Sequence, residues 1–328
     1  MQGYWMQMTD TDTVLEVRET ATPAPGEGQL LVRMRAASLN RGEFVLGHGL
    51  HGKAGTWKAL GGEGAGEVME VGAGVTGFKP GDRVMGRCAG AFSEYALMDP
   101  AEAMVVPSNL TWEAAASIPM TFLVSFDMLV LQGRLQAGEW LLINGVSSGV
   151  GVASLQLGKL LGASVIGTSG SAGKLGTLRN LGLDVALETR EADFAPAVME
   201  ATGRRGADLV VNAVGGSVFA EDIRAMAFEG RLATVGYVDG VLHADLDLEA
   251  LHAKRLTLFG VSNKLRTKAQ RAAAVPRFVA EVLPHFESGR IAPQIDQVVE
   301  FQDLPAAKTR MEAGGHVGKI VLRIPKAA

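Results

Sequence analysis

The sequence predicts an α/β protein of two domains, one built on a doubly wound parallel sheet and the other rich in short β-strands. Three observations predict it. From Trp140 onward, apolar runs of strand length alternate with segments of helical spacing, and a strand returning parallel to its neighbour needs a crossover, which a helix supplies. Between Leu30 and Val84 the apolar runs are shorter and punctuated by Gly and Pro, the pattern of strands joined by turns. A length of 328 residues with 47% hydrophobic content is enough for two cores of ordinary domain size.

Along the chain, Met1 to Thr13 carries polar and acidic residues where a secretory signal needs a basic start and an apolar run. No uncharged stretch reaches the roughly 18 residues of a membrane span, so a cytoplasmic protein without a membrane partner is expected. Leu30 to Ala37 and the runs within Gly66 to Val84 read as strands, separated by Gly-Ala-Gly-Val-Thr-Gly at 72–77 and Lys-Pro-Gly-Asp at 79–82. Thr111 precedes Trp112-Glu113-Ala114-Ala115-Ala116 as a helix cap does, and a second helical segment runs to about Gln132. Six strands follow: Trp140 to Asn144, Ser164 to Thr168, Val185 to Glu188, Asp208 to Ala213, Arg231 to Val235 and Leu256 to Val261. A helix over Lys268 to Ser288 then leads to strand-like segments at Gln297 to Phe301 and Lys319 to Leu322, expected to rejoin the first domain. The 31 basic and 35 acidic residues, net charge -4, are scattered without blocks, which argues for a small-molecule ligand and against nucleic acid. With Cys88 as its single cysteine the chain has neither a disulfide framework nor a multi-cysteine zinc site.

Between the strand ending at Asn144 and a helix starting near Gly149 lies Gly145-Val146-Ser147-Ser148-Gly149-Val150-Gly151. Glycines there let the backbone turn sharply and approach a pyrophosphate, whose charge meets free N–H groups and the positive end of the helix. Against a strict Gly-x-Gly-x-x-Gly the match is partial, with Val146 and Ser148 in the first two positions. Spaced as Gly-x-x-x-Gly-x-Gly it resembles the turn of short-chain dehydrogenases, but Tyr4, Tyr95 and Tyr237 are followed four residues on by Met8, Asp99 and Val241, not Lys. The alternative is a loop that only packs strand against helix. The second strand ends in Ile166-Gly167-Thr168-Ser169-Gly170-Ser171-Ala172-Gly173-Lys174, without the acid that would bind the ribose hydroxyl of NAD. Thr168, Ser169 and Lys174 instead suit a 2′-phosphate, each charge-assisted contact being worth roughly 1.5–3 kcal/mol, and NADPH is expected over NADH. Lys174 as a solvated helix residue is the alternative.

Further motifs stand at Ser38-Leu39-Asn40-Arg41-Gly42-Glu43, Gly62-Glu63-Gly64-Ala65-Gly66-Glu67-Val68, Val75 to Val84 ending in Pro80-Gly81-Asp82-Arg83-Val84, Ser148 to Gly151, Val214-Gly215-Gly216 and Gly318-Lys319-Ile320-Val321. Across nearly its whole length the chain therefore resembles the medium-chain dehydrogenase/reductase superfamily, and within it the zinc-free quinone oxidoreductase branch of zeta-crystallin. The resemblance implies a GroES-like, β-rich catalytic domain from residues 1–117 and 263–328. It also implies a Rossmann domain from 118–262, a cleft in which nicotinamide meets substrate, and a homodimer formed through Leu256 to Val261. Zinc relatives hold their metal with Cys, His and Cys at positions that are Asn40, Gly62 and Met120 here, none of them a zinc ligand. The structural zinc lobe is missing too, because the chain passes directly from Arg87 to Phe92-Ser93-Glu94-Tyr95. Glu63 survives from the motif, although a lone carboxylate is more often structural.

Without a metal, the implied chemistry is hydride transfer to a quinone or an enone, with hydrogen bonds taking up the developing charge. Asn40 is the expected donor to the substrate oxygen and sits beside the nicotinamide in similar enzymes; its alternative is to stabilise a turn. Tyr237, just past the fifth Rossmann strand, is the second catalytic candidate, as donor or wall, against ordinary loop packing. His48 and His51 lie in a Gly-rich loop and are expected at the surface. The expected dinucleotide-binding set comprises Asn40, Ser148, Gly149, Val150, Gly151, Thr168, Ser169, Lys174, Thr189, Arg190, Val214, Gly236, Tyr237, Val261 and Asn263. Thr189 replaces a Tyr that often stacks near the adenosine phosphate, and Arg190 beside it can bind phosphate; Gly314 and Gly315 stand where some members carry an Arg. An enoyl-thioester reductase of the same superfamily and a NADPH-binding protein with little turnover are the alternative functions.

Overall fold

A computed structural model describes residues 1–9, 13–44 and 55–325. The chain divides into two compact units, Met1–Leu123 with Asn263–Ala328, and Val124–Ser262.

In the first unit the strands are β1 Gln2–Met8, β2 Thr13–Glu19, β3 Leu30–Ser38, β4 Trp57–Ala59, β5 Glu63–Val71, β6 Arg83–Ala89 and β7 Tyr95–Val105. The polar start of the chain is thus a strand, and it buries Tyr4 and Met6; β2 pairs with one edge of β1 and β4 with the other. Four strands close on themselves in the order β3-β5-β6-β7, with β7 returning to β3 from Leu30↔Met98 to Arg33↔Tyr95. Register shifts at Leu31/Val32 and Met34/Ala36 bend β3 between its β5 and β7 partners. The core inside carries Met34, Val68, Phe92 and Met98, all fully buried. After β7, the helix α1 Trp112–Ala116 is capped by Thr111, whose Oγ1 accepts from the Ala114 amide at 3.2 Å. A second helix, α2 Pro119–Phe126, continues as a π-helical turn, Asp127–Gln132.

The second unit alternates β8 Trp140–Asn144, α3 Gly149–Leu160, β9 Ser164–Ser169, α4 Ala172–Arg179, β10 Val185–Glu188, α5 Ala195–Ala201, β11 Ala207–Asn212, α6 Phe219–Ala225, β12 Met226–Thr234, α7 Leu248–Ala253 and β13 Thr257–Gly260. All six strands are parallel in the order β10-β9-β8-β11-β12-β13. Numbered within the sheet that is 3-2-1-4-5-6, the doubly wound Rossmann order, whose switch point lies between β8 and β11. Helices cover both faces, so the middles of β8 and β11, Leu141–Ile143 and Leu209–Val211, are wholly apolar.

The chain then returns to the first unit with α8 Lys268–Ala272, α9 Val275–Glu281, α10 Leu283–Glu287, β14 Ile295–Val299, α11 Leu304–Glu312 and β15 Lys319–Arg323. The single helix expected over Lys268 to Ser288 is three. Pro276 and Pro284 cannot donate within a helix and each stands in the first turn of a new one. Phe301 opens a 3-10 turn and does not end a strand. β15 pairs antiparallel with β3 and parallel with β14, and this carries Lys319 to the end of β3. Among the described residues no helix is long and apolar enough to cross a membrane.

Candidate active site

Where β3 ends and β5 begins, the first unit gathers a buried polar cluster. Glu63, fully buried at the first position of β5, accepts on Oε1 from Ser38 Oγ at 2.6 Å, Asn40 Nδ2 at 2.9 Å and Lys319 Nζ at 2.9 Å. Its Oε2 accepts the Met120 amide at 2.7 Å, at the N-terminus of α2. The Lys319 ammonium also donates to Leu39 O at 2.8 Å and Asn40 Oδ1 at 2.7 Å. Asn40 therefore lies between charges, with Oδ1 on Lys319 and Nδ2 on Glu63 and, at 3.1 Å, on Glu43 Oε1. Gly62 donates its amide to the same Glu43 oxygen at 3.1 Å, and a Cβ at Gly62 would approach that oxygen to 2.8 Å. The other Glu43 oxygen, Oε2, is buried and has no hydrogen-bond partner among the described residues. Burial pushes the Glu43 carboxyl up to about 7, against the pull of Asn40 and Lys319.

The structure thus brings Asn40, Gly62 and Met120 together, Met120 Sδ lying 3.4 Å from Asn40 Nδ2. The set does not suit zinc. An amide N–H, a glycine and a thioether replace thiolate and imidazole, and the positive charge beside Glu63 is already the Lys319 ammonium. Among the described residues no group of three or more His, Cys, Asp or Glu could hold a metal ion.

Glu43, Gly62 and Met120 line a cavity of about 770 Å³ formed by residues of the first unit, as do Lys58, Arg87 and Arg271, a size suited to a small organic substrate. Cys88 also borders it, but burial and then the nearby Glu63 and Glu43 push its thiol up to about 12, so no nucleophilic thiolate forms there. His48 and His51 lie outside the described residues.

In the second unit the turn after β8 has the geometry its glycines require. Gly145 adopts φ +76°, and a Cβ on Gly151 would strike Gly145 O at 2.5 Å and Val146 Cα at 2.7 Å. The helix α3 therefore starts pressed against the turn. Ser148 caps α3 by accepting the Gly151 amide at 3.0 Å, and Val150 O accepts from Ser125 Oγ at 3.3 Å. Thr168 holds the turn from the neighbouring strand: its O accepts the Val146 amide at 3.1 Å and its Oγ1 donates to Asn144 Oδ1 at 2.9 Å. Ser169 Oγ lies 3.5 Å from Ser147 Oγ.

Beneath this turn sits a network that sequence reasoning missed. Asn144 and Asn212, the last residues of β8 and β11, both donate through Nδ2 to Asp222, one to each carboxylate oxygen, all three being fully buried. Asn212 Oδ1 takes the amides of Val214 and Gly215 at 2.9 and 2.8 Å, which fixes the loop at the switch point. Burial raises the Asp222 carboxyl well above the ordinary range, although both amides favour its charge. A polar Asn closing each of two apolar strands was the available signal.

At the end of β9 the exposed Arg190 side chain lies across Gly170, where a Cβ would meet its Cγ and Nε at 2.5 Å. Lys174 is half-buried in α4. Thr189 is engaged locally, its Oγ1 donating to Asp193 Oδ1 at 2.7 Å, and Glu188 Oε1 accepts the Ala172 amide at 3.0 Å. Tyr237 is 42% exposed. Gly236 backs onto Ala213, whose carbonyl oxygen a Cβ at Gly236 would meet at 3.2 Å. Val261 is buried, donating its amide to Thr234 O at 2.9 Å, and Asn263 in the first unit accepts from the Arg266 amide at 3.3 Å.

Residues 26–108 match the family model described as alcohol dehydrogenase GroES-like domain, and residues 149–278 the model described as zinc-binding dehydrogenase. The chain is 33% identical over 321 residues to the spectinabilin polyketide synthase system protein NorB of Streptomyces orinoci, covering 97% of this chain and 14% of that protein. It is 30% identical over 324 residues to the synaptic vesicle membrane protein VAT-1 homolog of Homo sapiens, covering 94% of this chain and 82% of that one. A solved structure of an NAD-dependent alcohol dehydrogenase superposes with TM-score 0.86 at 30% identity, over 99% of this chain and 100% of that chain. The structure of mycobacterial Rv1454c complexed with NADPH superposes with TM-score 0.89 at 27% identity, over 98% and 100%.

Proposed function

The chain belongs to the medium-chain dehydrogenase/reductase superfamily, in its zeta-crystallin-like branch, and from that premise we propose that it is an NADPH-dependent, metal-independent reductase of enones and quinones. The observation that carries the reading is a Lys319–Glu63–Asn40 cluster where zinc relatives hold their metal, joined through Asn40 to Glu43, which lines the cavity and whose carboxyl burial pushes up to about 7. NADPH, when bound, supplies the hydride. The turn Gly145–Gly151 would hold its pyrophosphate on the α3 amides, with Thr168, Ser169, Val214, Gly236, Tyr237 and Val261 as its further contacts in the second unit. Arg190 and Lys174 would meet the 2′-phosphate, a choice that fits the absence of an acid in the Thr168–Lys174 segment and the NADPH bound by Rv1454c.

A substrate carbonyl takes one amide hydrogen of Asn40 in exchange for its 3.1 Å contact with Glu43, while Asn40 keeps Glu63 and Lys319. Charge moves onto that oxygen as hydride reaches the β-carbon, and hydrogen bonds there stabilise it. Glu43, whose Oε2 has no hydrogen-bond partner among the described residues, carries the proton that completes the reduction at the α-carbon. Tyr237, 42% exposed, would serve the nicotinamide as wall or donor. The edge strand β13, paired on one side by β12, serves a homodimer.

A second reading, reduction of enoyl thioesters, is favoured by 30–33% identity to polyketide synthase proteins over more than nine-tenths of this chain. The test is NADPH oxidation by the purified chain against quinones, enones and enoyl thioesters, with zinc analysis alongside. Turnover of quinones or enones with NADPH preferred over NADH is expected. Turnover of thioesters alone moves the assignment to the second reading, and stoichiometric zinc or no turnover by any acceptor sinks both.

A further inference from the structure

We propose that the first unit's cavity selects an α,β-unsaturated carbonyl substrate that also bears a carboxylate, and that Arg87 binds this carboxylate. The proposal rests on the enone reading and narrows its substrate class.

Arg87 is the fifth residue of β6 and pairs directly across the ladder from Glu63. One strand register therefore places it beside the Glu63–Asn40 cluster. Its side chain is only 22% exposed and lines the cavity. Enclosing a guanidinium costs free energy unless acceptors take up its five donors, which a carboxylate does in a bidentate fork. Arg87 is not: among the described residues its one ionic neighbour is Glu102, with Nε 3.7 Å from Oε2, beyond hydrogen-bond reach.

Glu102 is already claimed. Its Oε1 accepts Arg271 Nε at 2.7 Å, and Arg271 is further fixed by Arg266 O at 2.8 Å. Two guanidiniums thus share one buried carboxylate, which leaves one positive charge uncompensated on the cavity wall, and the better-held partner is Arg271. Burial, together with the like charge of Arg271, pulls Arg87 below the ordinary guanidinium range against the attraction of Glu102. The remaining basic groups of the wall, Lys58 and Lys268, strengthen the field, and Lys268 lies 3.9 Å from Asp99. The open fork of Arg87 on this basic wall matches a carboxylate, which a guanidinium binds through two parallel hydrogen bonds.

The experiment compares β-acetylacrylate with its uncharged methyl ester as acceptors for the NADPH-loaded protein. It also measures binding of levulinate, the saturated carboxylate, by calorimetry. The expected result is a kcat/KM at least about tenfold higher for the acid than for the ester. In Arg87→Gln the acid-to-ester ratio falls to near one, in Arg87→Lys it recovers part of the way, and levulinate binding weakens about tenfold or more in Arg87→Gln. A ratio near one in the unsubstituted protein, or a ratio unchanged in Arg87→Gln, overturns the proposal while leaving the enone reading intact. If neither acid nor ester is reduced, the enone reading fails and levulinate decides: binding that depends on Arg87 supports the carboxylate site, and binding indifferent to Arg87, or none, overturns it.

Discussion

Lys319 Nζ stands 2.9 Å from Glu63 Oε1, the lysine side chain 5% exposed and the glutamate wholly buried. The two residues are 256 apart in sequence and meet because β15 lies against β3 and β5 against the other edge of β3. Each is saturated: the ammonium has three acceptors, and the carboxylate has four donors. A buried pair of this kind contributes little relative to apolar residues of the same volume, yet breaking it exposes the full cost of an unpaired charge.

Lys319→Met is accordingly expected to destabilise the protein by about 3–5 kcal/mol, and Glu63→Gln to cost less because its amide oxygen still accepts from Ser38 or Met120. Adding Glu63→Leu to Lys319→Met should recover part of the loss. Urea unfolding of the three variants measures this, and a Lys319→Met protein within 1 kcal/mol of the parent, on the order of a surface substitution, contradicts the pair's role.

Glu43 makes stability and catalysis depend on pH in opposite-seeming but linked ways. Its carboxyl titrates near 7 in the fold against an ordinary 4.5, so the folded state holds the proton more tightly than the unfolded chain. That contribution is complete below about 4.5 and is lost as pH rises through 7, roughly 3 kcal/mol in all by the linkage relation. Glu43→Gln should flatten this slope and be the more stable protein at pH 8. The same variant should lose the fall in kcat/KM above about pH 7 together with most of its rate. Thermal melts across pH and pH–rate profiles check both; a slope that survives in Glu43→Gln assigns the titration elsewhere.

Arg190 lies over Gly170 at the end of β9. If it meets the 2′-phosphate, Arg190→Ala raises KM for NADPH about 10–100-fold, the worth of one charge-assisted contact, and leaves KM for NADH nearly unchanged. Equal effects on the two cofactors would point to a structural role for the arginine.

Cys88 is expected to stay unmodified by iodoacetamide at pH 8 in the folded protein and to react fully in urea, since its thiol is held up to about 12 by burial and nearby carboxylates. Mass spectrometry of the native, alkylated chain reads this directly, and rapid native labelling would show that the cavity wall opens.

The second unit was legible because its physics is local. A strand covered on both faces is apolar over most of its length, so Leu141–Ile143 and Leu209–Val211 announce themselves in the sequence, as does the glycine turn between β8 and α3. The hairpin β1–β2 was not, because β1 buries Gly3, Tyr4 and Met6 with no regular apolar–polar alternation and β2 has no fully buried residue. Pro276 and Pro284 mark the breaks after Lys268, where the apolar spacing on either side continues at the helical period. Glu43 and Lys319 stood in motifs whose importance was visible while their chemistry was not, and Arg87 stood in no motif at all. Whether a carboxylate is neutral, or a guanidinium lacks a partner, depends on strands brought together from residues 38, 63, 87, 102 and 319, and no spacing encodes that. The Asn144–Asp222–Asn212 network has the same character, being assembled from the ends of β8 and β11 and from α6.

Gly151 tests whether the turn is a phosphate cradle or mere packing. Its Cα faces Gly145 O and Val146 Cα, so the methyl of Gly151→Ala would intrude to 2.5 and 2.7 Å on backbone atoms that cannot rotate away. Relief requires α3 to shift from the end of β8, and overpacking of this kind costs about 1–3 kcal/mol. Ala is otherwise the better helix residue, by about 1 kcal/mol, so in the absence of the clash the substitution would stabilise α3. The expected outcome is therefore a net loss of stability together with a loss of NADPH affinity of more than tenfold, read by urea unfolding and by cofactor fluorescence. Gly173→Ala is the matched control: it lies in α4, where a Cβ comes no nearer than 4.0 Å to Ser171 Oγ, and should be neutral or stabilising with NADPH binding retained. Stability lost at Gly151 with cofactor affinity preserved would make the turn a packing device alone and would remove the dinucleotide from this end of β8.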